Sequence, residues 1–272
     1  MKYKYYNIPI SVNPKFVQIR EYRDNFIMKD GGKGMDFYSL SQDEVSVILG
    51  GLLGDSCYKK RDNVIVFSHS AKQKEYLSWK HDILSDISSD IRTRVVGKSI
   101  ITDEELVNVS FSTKTNKKYH ADYNSIRTLI FSNGKKTVNR KWLNMLTPLS
   151  LAVWWMDDGC LSVHKKKDGA ISRFGKLSTN GFSYEEQKIM KDYFKTVWDI
   201  DVKITPEKGN YFLRFTVPNL KKLFLIIYPF VMQVSDMIYK INMKYKLEKL
   251  SDDDEYKVIQ TIIYDTLDNK KS

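Results

Sequence analysis

The sequence predicts an α+β fold built of two similar halves, and three observations lead to it. Two short helical segments, apolar almost all round, end in acids 103 residues apart, at Asp55 and Asp158. Each is followed by the same order of periodic runs: two strands, a helix, two strands, a helix. Within those runs Val109-Ser110-Phe111-Ser112 is echoed by Leu213-Arg214-Phe215-Thr216 at an offset of 104. A repeat at fixed spacing makes each copy one structural unit. The expected division is an N-terminal arm over 1–40, halves over 41–146 and 147–250, and an acidic tail over 251–272.

The first helix is expected over Asp43–Asp55, with Ser41 as its cap and Glu44 three residues on, as in a capping box. The second is expected over Pro148–Asp158, where Thr147 caps and Pro148 takes the first helical position. Helices apolar on every side must be buried. In the first half, Cys57–Lys60 and Val64–Ser70 flank the polar turn Arg61-Asp62-Asn63 and read as a hairpin. A helix over Lys72–Ser85, strands at Arg92–Val96 and Leu106–Ser112, and a helix over Tyr119–Phe131 complete it. The second half offers strands at Leu161–His164 and Phe174–Thr179 and a helix at Tyr184–Trp198. Strands at Val202–Thr205 and Tyr211–Val217 and a helix at Asn219–Ile227 follow. Cys57 and Cys160, each two residues beyond its acid, read as small apolar residues on matching strands. The run Leu223–Met232, half the length of a membrane span and interrupted by Pro229, reads as a core element. The first forty residues lack a period, and Gly31-Gly32-Lys33-Gly34 reads as a flexible connector because no strand-then-helix context surrounds it.

The charge balance points to a polyanion. Forty-four Lys+Arg against 33 Asp+Glu give +11 over 272 residues, and a chain of this kind suits nucleic acid or an acidic membrane surface. The absence of any long apolar run weakens the membrane alternative, and no secretory signal precedes the first polar residues. The expected location is intracellular: a bacterial or phage-infected cytoplasm, or an organelle. The last 22 residues carry −3, so the first 250 carry +14. Two cysteines exclude a disulfide framework and a cysteine zinc site. The four histidines, His69, His81, His120 and His164, lack metal-ligand spacing. Asp201-Val202-Lys203 fits a nuclease D/E-x-K triplet, a match that lysine-rich chains produce by chance.

Gly50, Gly51 and Gly54 crowd one helix, each at about 1 kcal/mol relative to alanine. Small residues four apart either mark a frayed end or let a second helix backbone approach closely. The twin helix favours close approach, which would bring Asp55 and Asp158 together. Adjacent carboxylates repel unless a cation lies between them, and an oxygen-rich pair of that kind suits Mg²⁺.

Ile48-Leu49-Gly50-Gly51-Leu52-Leu53-Gly54-Asp55-Ser56 and Leu151-Ala152-Val153-Trp154-Trp155-Met156-Asp157-Asp158-Gly159 resemble two copies of the LAGLIDADG motif. The resemblance is to LAGLIDADG homing endonucleases, runs from about residue 41 to 250, and is closest to the monomeric, two-motif branch of the I-SceI type. It implies a pair of αββαββα halves whose sheets form a saddle on DNA. It makes the eighth-position acids, Asp55 and Asp158, metal ligands, with the preceding Gly54 and Asp157 completing the metal set. Asp157 is a second carboxylate beside Asp158, and position favours Asp158. Gly50 and Gly54 correspond to the larger Val153 and Asp157, so asymmetric packing is expected there. Lys136, after Ser132-Asn133-Gly134-Lys135, and Lys240, after Met237-Ile238-Tyr239, match the family's basic positions, 81 and 82 residues beyond their acids.

The implied activity is site-specific double-strand DNA cleavage by a monomer at a long target, leaving short 3′ overhangs. Asp55 and Asp158 would hold Mg²⁺, or Mn²⁺ in its place, while Lys136 and Lys240 polarise the water or neutralise phosphate charge. Polar strand residues would read the major groove: Lys59, Arg61, Ser68, Arg92, Arg94 and Lys114 in the first half, and Lys165, Arg173, Lys176 and Arg214 in the second. Ser70 and Asn180, after corresponding second strands, would sit at the site's edge or close strand ends by hydrogen bonding. Two rivals share the fold: a maturase that binds intron RNA and a DNA-binding regulator. The ends, Met1 and Asn269-Lys270-Lys271-Ser272, lack splicing residues, so an intron-encoded or free-standing origin is expected over an intein insert.

Overall fold

The computed structural model describes residues 37, 39–165 and 171–243. The arm glycines Gly31–Gly34 and the acidic tail lie outside the described residues. The first half runs α1 (Gln42–Leu53), β1 (Cys57–Lys59), β2 (Val64–Ser70), α2 (Lys74–Ile83), β3 (Arg92–Lys98), β4 (Glu105–Ser112) and α3 (His120–Ile130). A small hairpin, β5 (Phe131–Ser132) and β6 (Lys135–Lys136), and a short helix α4 (Arg140–Asn144) follow. The second half runs α5 (Pro148–Asp158), β7 (Gly159–Lys165), β8 (Ile171–Leu177), α6 (Tyr184–Trp198), β9 (Val202–Glu207), β10 (Asn210–Phe215) and α7 (Val217–Val231). A 3-10 turn over Ser235–Lys240 closes the described chain.

The duplication is visible in the topology. Both four-stranded sheets are antiparallel and share one order: β1-β2-β4-β3 and β7-β8-β10-β9. The two segments that echo each other in sequence, 109–112 and 213–216, fall on β4 and at the end of β10, the third strand of each sheet. Alternation sets the faces. On β2, Ile65, Phe67 and His69 are buried, while Ser68 is half-buried and Ser70 exposed.

The caps form as the sequence expects. Ser41 Oγ accepts from Glu44 N, and Glu44 Oε2 accepts from Ser41 N at 2.6 Å. At α5 the reciprocal partner is Ser150 in place of an acid or amide: Ser150 Oγ accepts from Thr147 N at 3.1 Å. Thr147 Oγ1 also donates to Ser46 Oγ at 2.8 Å, tying the cap of α5 to α1.

Helices α1 and α5 pack backbone to backbone. A methyl group on Gly50 would overlap the Ser150 carbonyl oxygen and lie 2.9 Å from its Cα; one on Gly54 would lie 2.5 Å from Asp157 Cβ. Val47, Ile48, Leu49 and Leu52 on one helix and Ala152, Val153 and Met156 on the other have no exposed surface. Among the described residues no helix is long and apolar enough to cross a membrane.

Two expectations need correction, and one element was not anticipated. Cys57 and Cys160 do lie on matching first strands, but both are exposed, because they share the sheet face that carries no helix. The last helix extends past Asn219–Ile227 at both ends. Pro218 fits its first turn, and Pro229 in its last turn removes only one intrahelical bond. The β5–β6 hairpin was legible and missed: Asn133 and Gly134 both have positive φ, the conformation that an Asn-Gly pair supplies to a two-residue turn.

Gly50→Ala is a sharp test of the helix contact. Alanine ordinarily stabilises a helix interior relative to glycine by about 1 kcal/mol. Here urea denaturation is expected to show a loss of about 1–3 kcal/mol, because the overlapped atoms are backbone.

Candidate active site

The site forms where α1 and α5 end together. Helix C-termini carry partial negative charge from unpaired carbonyls, so carboxylates gathered there start at a disadvantage. Asp55 follows α1 by two residues, with Gly54 as the C-cap, and Asp158 is the last residue of α5. Burial and the neighbouring Asp157 push the Asp55 carboxyl up. Burial and then Asp55 push Asp158 up to about 7. Two raised carboxyls beside backbone carbonyls at two helix ends form an all-oxygen set short of positive charge, which fits a hard divalent cation.

Asp157 has a different fate. Its side chain has no exposed surface, and its oxygens are already engaged. Oδ1 accepts from Lys80 Nζ at 2.7 Å and from Tyr76 Oη at 2.8 Å, and Oδ2 accepts from the backbone N–H of Asp55 at 3.2 Å. Lys80 is fully buried, and its Nζ lies 3.0 Å from His69 Nε2. His69 Nδ1 lies 3.7 Å from Asp55 Oδ2, so His69 stands between two acids despite its lack of ligand spacing in the sequence. One oxygen each of Asp55 and Asp157 and a ring nitrogen of His69 lie within 4.8 Å of one another. The Lys80 ammonium already neutralises the Asp157 member of that trio. Burial, and then Lys80, hold the His69 imidazolium down to about 4, so the ring is neutral near pH 7.

The two expected lysines lie one beside each helix end. Lys136 on β6 donates to the Leu52 carbonyl at 2.9 Å, near the end of α1. Lys240, at the end of the 3-10 turn, donates to the Gly159 carbonyl at 2.8 Å and lies 3.4 Å from the Asp157 carbonyl, at the end of α5. Burial lowers both ammonium groups, against the opposing pull of Asp158 on Lys136 and of Asp157 on Lys240. Near-equal sequence offsets therefore hide unlike local structures, a hairpin and a 3-10 turn.

The outer sheet faces hold most of the expected contact residues. Arg92 and Arg94 on exposed β3 pair with Ser110 and Asn108, which pair in turn with Ser68 and Ser70. In the second sheet Cys160, Lys176, Arg214 and Lys203 form one cross-strand row. Lys59 is exposed on β1 and Arg61 in the turn after it. Lys176 pairs with Glu207, and Arg214 lies 4.2 Å from the Phe174 ring centre. Ser70 caps a short 3-10 turn by accepting from Lys72 N, and Asn180 lies 3.5 Å from Glu207. Lys114 donates to the Asp86 carbonyl. Arg173 shares the core-side parity of Leu161 and Gly175, away from this polar face, because β7–β8 register places it opposite Val163. Lys165 is on β7, and its side chain lies outside the described residues. Sequence reasoning missed Asn108, Ser110 and Lys203 on the outer faces and His69, Tyr76 and Lys80 beneath the site. Strand alternation could have found the first three.

The LAGLIDADG DNA endonuclease family model matches residues 45–223. Protein RecA of Mycolicibacterium chitae is 27% identical over 216 residues, covering 75% of this chain and 47% of that protein. Cytochrome b mRNA maturase bI2 of Saccharomyces cerevisiae is 28% identical over 228 residues, covering 76% of this chain and 48% of that protein. The chain thus spans about half the length of these two curated relatives. The solved homing endonuclease I-WcaI, bound to its DNA recognition sequence, superposes with a TM-score of 0.63 at 20% identity, over 84% of this chain and 94% of that one.

Two measurements check the electrostatics. Lys80→Met leaves the Asp157 carboxylate buried without its cation, and urea denaturation is expected to show a loss of about 3–5 kcal/mol; Lys80→Met with Asp157→Asn recovers most of it. The Asp158 carboxyl keeps its proton up to about 7 when folded but only to 3.8 when unfolded. The folded state therefore binds more protons in that window, and the Asp158 contribution to stability falls as pH rises through it. Asp158→Asn is expected to stabilise the metal-free chain more at about pH 8 than at about pH 4, read from urea midpoints.

Proposed function

This chain belongs to the LAGLIDADG DNA endonuclease family, and we propose that it is a monomeric, site-specific DNA endonuclease that hydrolyses both strands at a long target. The reading rests on one observation: Asp55 and Asp158, both raised, close two packed helices and have a lysine beside each helix end, Lys136 half-buried and Lys240 buried. I-WcaI, of like fold, is described as a homing endonuclease bound to its DNA recognition sequence.

Asp55 and Asp158, with the Gly54 and Asp157 carbonyls, are the residues suited to hold Mg²⁺ or Mn²⁺. When bound, such ions supply Lewis-acid stabilisation and lower the pKa of a water. The chain's own residues do the rest. Lys136 and Lys240 are desolvated cations at the helix ends, placed to neutralise charge developing on a phosphate. The cross-strand rows on the outer faces supply donors for base edges, and Arg92, Arg94 and Lys203 supply charge for backbone phosphates. The acid pair would face the minor groove between the two cuts, which accounts for short 3′ overhangs.

A second reading has its own observation, the likeness to the cytochrome b mRNA maturase bI2. In that reading the sheets, or another basic face, bind intron RNA. The two are separated with a duplex spanning the joined flanks of the gene and the intervening RNA as competing probes. Mg²⁺-dependent cutting of the duplex is expected. Asp55→Asn and Asp158→Asn should each abolish double-strand cutting with binding retained, and Lys136→Met or Lys240→Met should slow it by about 100-fold. Tight RNA binding with no cutting by the wild-type chain would favour the maturase.

A further inference from the structure

We infer that buried Lys80, acting through His69 and Asp157, braces Asp55 at both its backbone and its carboxylate, and that this brace serves one half-site only. The inference rests on the nuclease reading, and it concerns positioning residues.

An ammonium donates and cannot accept. Lys80 Nζ directs one N–H at Asp157 Oδ1 and another at His69 Nε2. A ring whose Nε2 accepts carries its proton on Nδ1, and Nδ1 is the atom that faces Asp55 Oδ2 at 3.7 Å. That N–H contributes an electrostatic contact to the Asp55 carboxylate beyond hydrogen-bond range, while the ring's side-chain hydrogen bond is to Gln73. The second arm runs through Asp157, whose Oδ2 holds the Asp55 backbone N–H. Tyr76 completes the pocket: its hydroxyl donates to Asp157, its ring lies 4.2 Å from Lys80 Nζ, and its centre is 4.9 Å from that of His69.

The second half has no equivalent. Position seven of the first motif is Gly54, which offers no carboxylate, and its missing side chain is what admits Asp157. Cys57 pairs with Val66 and Cys160 with Lys176, so the residues three positions further on, His69 and Thr179, correspond. The place of His69 in the second half is therefore held by Thr179, which has no ring nitrogen and whose hydroxyl donates to Gln187 Oε1. Among the described residues neither carboxylate takes a hydrogen bond, but Asp55 has the His69 ring 3.7 Å away and Asp158 has no such neighbour. Two halves that share topology thus present their acids differently: Asp55 has His69 beside its carboxylate and Asp157 on its backbone N–H, and Asp158 has no equivalent of either. The two strand cuts should depend unequally on the brace.

The test has two readouts. Long-range ¹H–¹⁵N NMR of the metal-free wild-type chain, with the His69 signals assigned by their loss in His69→Leu, should show His69 protonated on Nδ1. Lys80→Met/Asp157→Asn, which leaves no unpaired buried charge, should lose that preference while folded. For cleavage, a duplex selected from a randomised library by the wild-type chain is labelled on either strand and cut with Mg²⁺. His69→Leu should change the ratio of the two single-strand rates by about 10–100-fold. His69→Asn, whose amide nitrogen takes the place of Nδ1, should restore it. A proton on Nε2 would overturn the brace. Equal slowing of both strands by His69→Leu, or no slowing, would overturn its one-sidedness. A wild-type chain that selects no cleavable duplex defeats the nuclease reading, and the strand claim with it, while the spectrum still decides the brace.

Discussion

Two helices with apolar residues on nearly every side have one good place to go, against each other and inside everything else. The contact between α1 and α5 meets that demand, and it works only because Gly50 brings one backbone onto Ser150 of the other. Side chains of ordinary size would hold helix axes about 8–10 Å apart. The closer contact carries the two C-terminal ends, and the acids on them, into one place. Each sheet hangs from its helix end within a few residues, β1 beginning at Cys57 and β7 at Gly159. The distance between the helices therefore also governs how the two sheets sit relative to the acids.

The same contact creates an electrostatic problem. Three carboxyls converge on two helix ends that are themselves partly negative. The chain's response is uneven. Asp157 is neutralised by Lys80 and satisfied by Tyr76 and the Asp55 N–H, which makes it a structural charge. Asp55 and Asp158 receive no such direct ion pair with lysine, and their raised carboxyls record the deficit. Buried pairs of this kind contribute little net stability compared with apolar packing. Their presence beneath the acids withdraws Asp157 and leaves Asp55 and Asp158 without a direct lysine partner.

Much of this was legible. Ser41 with Glu44, and Thr147 with Pro148, announce helix starts through local hydrogen bonding, and both caps form. The repeat was readable because period-2 and period-3.6 patterning are local properties, and the shared strand order follows from them. Boundaries slipped where the local signal was ambiguous, as at Pro218 and Pro229. The small α4 was missed because five residues carry too little periodicity to register. The 3-10 turn that presents Lys240 was likewise silent, since its geometry depends on Trp155 Nε1 donating to the Lys240 carbonyl across 85 residues.

Residue order by itself determined the helices, their caps, the strand pairs and the spacing that assigns Asp55 and Asp158 to equivalent places. Only tertiary structure decided which carboxyl of the Asp157–Asp158 pair is withdrawn into the interior, and that Tyr76, Lys80 and the Asp55 backbone N–H are the groups that hold it there. The reason is range. Hydrogen bonds joining Tyr76 and Lys80 to Asp157 span 81 and 77 residues. No periodicity encodes such a meeting; it exists because one glycine left room at Gly54 and one helix turned a particular face toward it.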